Sequence, residues 1–104
     1  MAAKFTDANF NEKTGGGLAL TAFIASWCPP CKRESPVIDE VAAEIGGNVV
    51  VGKLDIDENP EISGRFAVMS IPTMIITENG REVERLNGFH TKEELLEKLG
   101  KHMR

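Results

Sequence analysis

The chain has 104 residues, enough for one domain with a single core and too few for two. Hydrophobic residues make up 41% and charged residues 27%, the balance of an ordinary globular protein, which excludes disorder and fibrous structure. Twelve basic against sixteen acidic side chains give a formal net charge of -4 with no cluster of Lys or Arg, so nucleic acid is not an expected partner.

The N-terminus, MAAKFTDANF, carries one Lys and no apolar run of signal-peptide length. No window approaches the roughly eighteen apolar residues of a spanning helix, so no membrane partner and a cytoplasmic location are expected. Thr6 and Asp7 predict an N-cap and a short helix over residues 7–14, with Phe5 and Phe10 turned to the core. Gly15 to Gly17 read as the turn into a strand. LALTAFIA from Leu18 and VVVGKL after Asn48 are nearly unbroken apolar runs that suit buried parallel strands at the centre of a sheet. Between them Val37, Val41, Ala42 and Ile45 share one helical face, and Gly46-Gly47 ends that helix. It should start near Pro29 and bend at Pro36, one turn after Cys31.

Asn59-Pro60 reads as an N-cap followed by proline at the first helical position, opening a helix to about Phe66. Asn79-Gly80 between two β-prone runs predicts a hairpin that pairs Thr73–Thr77 with Glu82–Leu86. Thr91 and Glu94 form a capping box ahead of Leu95, Leu96 and Leu99, a final amphipathic helix. Alternating strands and helices followed by a hairpin and a helix make this an α/β chain, with one domain over residues 1–104.

SWCPPCK, Ser26 to Lys32, holds both cysteines and the only tryptophan. A structural zinc site takes four Cys or His ligands, and beyond the pair the chain offers only His90 and His102, so no metal is expected. A disulfide between residues so close in sequence closes almost no chain and makes a poor staple. Two inert core thiols would leave the prolines at a helix start unexplained. For redox chemistry each feature has a use. Positions i and i+3 on a helix are close enough to bridge. Cys28 meets the partial positive charge of the helix N-terminus, which favours thiolate and marks it as the nucleophile. Cys31, one turn deeper and expected to be less accessible, is the resolving thiol. CxxC beside a strand-helix-strand unit is the pattern of thioredoxin-like redox motifs, and such chemistry needs no bound cofactor.

Phe23, Ala25, Trp27-Cys28, Pro30, Cys31, Lys32 and Pro36 carry a wider pattern, continued by KLDIDENP at Lys53 to Pro60, Ile71-Pro72-Thr73, Asn79-Gly80 and Gly88. On these residues the sequence resembles thioredoxin along essentially its whole length. The resemblance implies the thioredoxin fold, a central mixed β-sheet flanked by helices on both faces. It implies a monomer that reduces protein disulfides and is re-reduced by a thioredoxin reductase or similar donor. It implies an active-site loop of Trp27, Pro29 and Pro30, and a cis proline at Pro72 packed against the active-site disulfide. It also implies a shallow groove of Trp27, Ile71, Pro72 and Gly88, where an extended substrate segment hydrogen-bonds to backbone.

The sequence departs from the family in places that bear on chemistry. CGPC is usual and CPPC stands here, so Pro29 removes an N–H near Cys28 and fixes another φ angle. The family's buried aspartate, six residues before the nucleophile, falls on Ala22, which removes the usual proton acceptor beside Lys53. Lys53 and Glu34 remain as candidate proton-handling groups, although an exposed first-turn Glu favoured by the helix dipole also accounts for Glu34. Ile24 stands where many relatives have a second Trp, and Asn87 where a groove-lining Val is common.

WCPPCKRESP is also similar to the active-site helix of thioredoxin-like reductases of cytochrome maturation, which work outside the cytoplasm and would call for a leader or anchor. A thiol oxidase or isomerase would run the same chemistry in reverse, and the reduction potential decides the direction. A redox-inert partner-binding module would use the groove without the cysteines. A glutaredoxin is disfavoured, since NGFHTKEE follows the second hairpin strand where a glutathione-binding acidic turn would lie.

Overall fold

The apolar run from Leu18 becomes the middle strand of the sheet in the computed structural model, which describes residues 1–103. In chain order the elements are β1 (Ala3–Lys4), α1 (Phe10–Thr14), β2 (Leu18–Ile24), α2 (Pro29–Ile45), β3 (Val50–Asp55), α3 (Pro60–Arg65), β4 (Thr73–Glu78), β5 (Arg81–Asn87) and α4 (Lys92–Gly100). A short 3-10 turn, Gly46–Asn48, follows α2. The strand order is β1-β3-β2-β4-β5. β3 runs parallel to both β1 and β2, whereas β4 is antiparallel to β2 and to β5, so the sheet is mixed.

Strand alternation divides the core in two. Leu20 and Ala22 of β2 and Met74 and Ile76 of β4 point to one face, where they meet Ile38 and Val41 of α2 and Leu95 and Leu99 of α4. Phe23, Leu54 and Ile75 point to the other, against Phe5, Phe10, Ile62 and Phe66. Helices therefore cover both faces, α2 and α4 on one and α1 and α3 on the other, which buries the parallel strands on both sides. Gly52 in β3 makes room for this packing, because a Cβ there would collide with the Phe5 ring.

Local sequence predicts most element starts and misses two caps. α1 begins at Phe10 rather than at residue 7, because Thr6 and Asn9 exchange side-chain-to-backbone bonds of 2.8 and 3.1 Å and residues 7–9 form a turn. Asp7 is thereby freed to cap a distant helix. Its carboxylate accepts the N–H groups of Glu61 (3.1 Å) and Ile62 (2.9 Å) at the start of α3. Asn59, the residue expected to cap α3, makes no side-chain cap bond, and its Oδ1 accepts the Asp7 N–H at 2.8 Å.

α2 starts at Pro29 as expected and passes through Pro36. Its inward face is Cys31, Glu34, Ile38 and Val41, while Val37, Ala42 and Ile45 pack along the edge of the core. Glu34, expected to be exposed, is completely buried. The hairpin turns through Asn79 and Gly80, both at positive φ (52° and 86°), the geometry of the tight turns that match strand twist. The Thr91–Glu94 capping box is present in full.

Candidate active site

The site forms where β2 ends and α2 begins. Cys28 is the N-cap of α2 in an extended conformation, and Pro29 and Pro30 occupy the first two helical positions. Neither proline has an N–H, so the first donor of the helix is Cys31, whose N–H points at the Cys28 Sγ at 3.3 Å. Lys32 N–H donates to the Cys28 carbonyl at 3.3 Å.

The two sulfurs are joined as a disulfide, with Cα atoms 5.2 Å apart, inside the range of about 4.4–6.8 Å that disulfides tolerate. Both cysteines are buried, Cys28 at 3% and Cys31 at 2% exposure, so the oxidised pair lacks the difference in access expected from depth along the helix. Ile56 and Ile71, from the segments after β3 and before β4, pack against the pair and cover it.

The Ile71–Pro72 peptide bond is cis. Pro72 is buried, and the Ile71 carbonyl oxygen lies 3.9 Å from the Cys28 Sγ. Gly88, at φ 85°, donates its N–H to the Pro72 carbonyl at 2.8 Å. A side chain at this φ would be strained, which suits glycine to the position. Trp27 is 64% exposed beside the nucleophile position, and its Nε1 donates to Asp57 Oδ2 at 2.7 Å. Asp57 lies inside the KLDIDENP segment, where nothing local marks it as the partner of a residue thirty positions earlier.

The two candidate proton-handling groups are both engaged. Lys53 Nζ bonds Asp39 Oδ2 at 2.9 Å, and Asp39 also accepts the Ala2 N–H at 3.1 Å. Burial works against ionisation of Asp39, but the bonds from Lys53 and Ala2 and the Lys53 charge outweigh it and hold the carboxyl below its ordinary value. Glu34 Oε1 accepts the His90 N–H at 2.7 Å, while its Oε2 is buried with no partner among the described residues. Burial is the largest influence on Glu34 and raises its carboxyl above the ordinary value, against the lowering effect of the His90 N–H and of the His90 and Arg33 charges.

Cys31 also lines a cavity of about 260 Å³ with Ile24, Ala25, Ser26, Lys32, Ser35 and Asp55. Two larger clefts, at the β4–β5 turn and beside His102, touch neither cysteine.

The family model for thioredoxin matches residues 1–101. The thioredoxin of Listeria monocytogenes is 46% identical over 103 residues, covering 99% of this chain and all of the relative. The thioredoxin of Staphylococcus aureus is 46% identical over 100 residues, covering 96% of each. The chain belongs to the thioredoxin family. With its cysteine pair at bonding distance on that fold, it is a thiol-disulfide oxidoreductase.

Within the thioredoxin fold two of the departures read from sequence, Ala22 and Pro29, now have surroundings. Ala22 is fully buried and sits opposite Lys53 in the β2–β3 ladder, so a methyl group occupies the place where the family carries a carboxylate. Lys53 turns instead to Asp39 on α2. Pro29 is at the first helical position, where the missing N–H belongs to a group that caps do not engage, since a cap accepts from the second or third residue. The donor that the prolines take from Cys28 is therefore the one at Pro30.

Proposed function

We propose that the protein reduces disulfides in protein substrates, with Cys28 attacking and Cys31 resolving. The Cys28 thiolate attacks one sulfur of the substrate disulfide, forming a mixed disulfide and releasing one substrate thiolate, which takes up a proton. Cys31 loses its proton and attacks the Cys28 sulfur, closing the Cys28–Cys31 bond and releasing the second substrate thiolate. Two electrons pass from the pair to the substrate. A thioredoxin reductase or similar donor returns them.

The observation that carries this reading is the placement of Cys28 as the N-cap of α2, its sulfur facing the Cys31 N–H and the helix N-terminus. Both stabilise the thiolate relative to the thiol. Trp27, Ile71, Pro72 and Gly88 form the substrate groove in this proposal, Trp27 steadied by Asp57. For the Cys31 proton we assign water in the cavity that Cys31 shares with Ser26, Ser35 and Asp55. No helix among the described residues is long and apolar enough to cross a membrane. The proposed setting is a monomeric single domain over residues 1–104 acting in the cytoplasm.

Insulin reduction with dithiothreitol as electron source tests the proposal. Wild type is expected to accelerate precipitation of the reduced chains and Cys28→Ser to run at the uncatalysed rate. Full activity of Cys28→Ser would contradict it, and equilibration with glutathione fixes the net direction.

A further inference from the structure

Glu34 is the one carboxylate among the buried side chains of the described residues. Its carboxylate is fully buried on the inner face of the active-site helix, and one of its oxygens has no partner among the described residues. An apolar side chain here would remove the unpaired oxygen but would leave the His90 N–H without its acceptor. What the carboxylate does hold is the backbone of the loop between β5 and α4, through the His90 N–H at 2.7 Å.

That bond closes a ring around the groove. Glu34 accepts from His90 N–H, and the His90 Nδ1 lies 2.8 Å from the Gly88 carbonyl. Gly88 N–H donates to the Pro72 carbonyl at 2.8 Å, and the Ile71 carbonyl meets the Cys28 sulfur at 3.9 Å. Cys28 caps the helix that carries Glu34, which returns the path to its start. Beside it, the Arg33 guanidinium lies over the Phe89 ring at 4.3 Å, a second tie between α2 and the same loop. The loop from Gly88 to His90 is thus tied to the helix that bears the reactive cysteine as well as to the Pro72 carbonyl.

We propose that Glu34 is a positioning residue that fixes the Gly88–His90 wall of the groove against the active-site helix and so sets affinity for extended peptide and protein disulfides. This rests on the reading of Cys28 and the groove given above. Its effect falls on KM, because Gly88 and the cis proline position substrate backbone, whereas the chemistry at Cys28 needs neither oxygen of Glu34. The hydrogen-bonding oxygen is what matters, and an uncharged amide in the same place should serve.

Glu34→Gln and Glu34→Leu separate this role from others, each assayed with a disulfide-bonded peptide and with a small aromatic disulfide that makes no use of the groove. Glu34→Gln keeps an acceptor for His90 and is expected to leave peptide KM within about twofold. Glu34→Leu removes the acceptor and is expected to raise peptide KM about tenfold, the loss of one hydrogen bond. In both variants kcat and the reduction of the small disulfide should stay near wild type, the latter also reporting an intact fold. An unchanged peptide KM in Glu34→Leu overturns the proposal, as does a loss of kcat in Glu34→Gln equal to that in Glu34→Leu, which would make Glu34 a proton acceptor. If the reading of Cys28 itself were wrong, Cys28→Ser would reduce both substrates as wild type does, an outcome distinct from both.

Discussion

Cys28 has one of the two donors that an N-cap side chain can draw on. Caps accept from the second or third helical residue, and Pro30 leaves the second without a donor, so Cys31 N–H alone faces the sulfur. Pro30→Ala restores that N–H and is expected to favour the Cys28 thiolate over the thiol in the reduced protein, as an added hydrogen bond to the thiolate does. Thiolate absorbance of the reduced protein against pH measures this, and an unchanged pKa would show that the restored N–H does not reach the sulfur. Cys28, Cys31 and Pro72 were legible in the sequence because their signals are local: a spacing, a helix start and a short family motif. The burial of Glu34 was not. Its position is decided by which stripe of α2 faces the sheet, and the core follows Ile38 and Val41 with Cys31 and Glu34, one residue off the stripe suggested by Val37. A charged side chain on the inner stripe runs against the pattern that locates stripes at all.

At the scale of elements, capping by residues near in sequence was read correctly at α4 and incorrectly at α3. Thr91 and Glu94 are three apart and their box could be recognised from spacing alone. Asp7 lies 54 and 55 positions from the amides it caps, so no window of sequence contains both partners. α3 has only six residues, too few to hold itself together, and depends on this cap and on burial of Ile62. Asp7→Ala is expected to cost about 1 kcal/mol, as loss of an N-cap does, read as a lower denaturant midpoint with an unchanged slope. No change in midpoint would mean that Asn59 or water takes over the two amides. The same link joins α3 to the segment before α1, so the helices on this face of the sheet are tied by side chain to backbone as well as by the Phe10–Phe66 edge contact.

Across the whole molecule the order of elements was legible because each strand and helix announces its own period and ends. Partner choice across the sheet was not fully so. The pairing of β1 with the far edge of β3 rests on two residues, Ala3 and Lys4, too short a segment to carry a pattern. The exchange of a buried carboxylate for Ala22 is also a property of the whole fold, because Lys53 opposite it finds Asp39 on α2 instead. Ala22→Asp buries a carboxyl in a space now filled by a methyl group and is expected to destabilise the fold by about 2 kcal/mol or more. It also places a proton acceptor where the family carries one, so release of substrate from the mixed disulfide should quicken. Denaturation and stopped-flow reduction measure the two effects; unchanged stability together with an unchanged rate would contradict this account of Ala22.

The central claim is that Cys28 takes the substrate and Cys31 lets it go, and the covalent intermediate tests it most directly. Cys31→Ser, reduced and mixed with a disulfide-bonded protein substrate, should accumulate a mixed disulfide that peptide mass mapping assigns to Cys28 and that dithiothreitol releases. Cys28→Ser under the same conditions should accumulate none. Equal trapping through Cys31 in the Cys28→Ser protein, or no adduct from Cys31→Ser, would contradict the assignment.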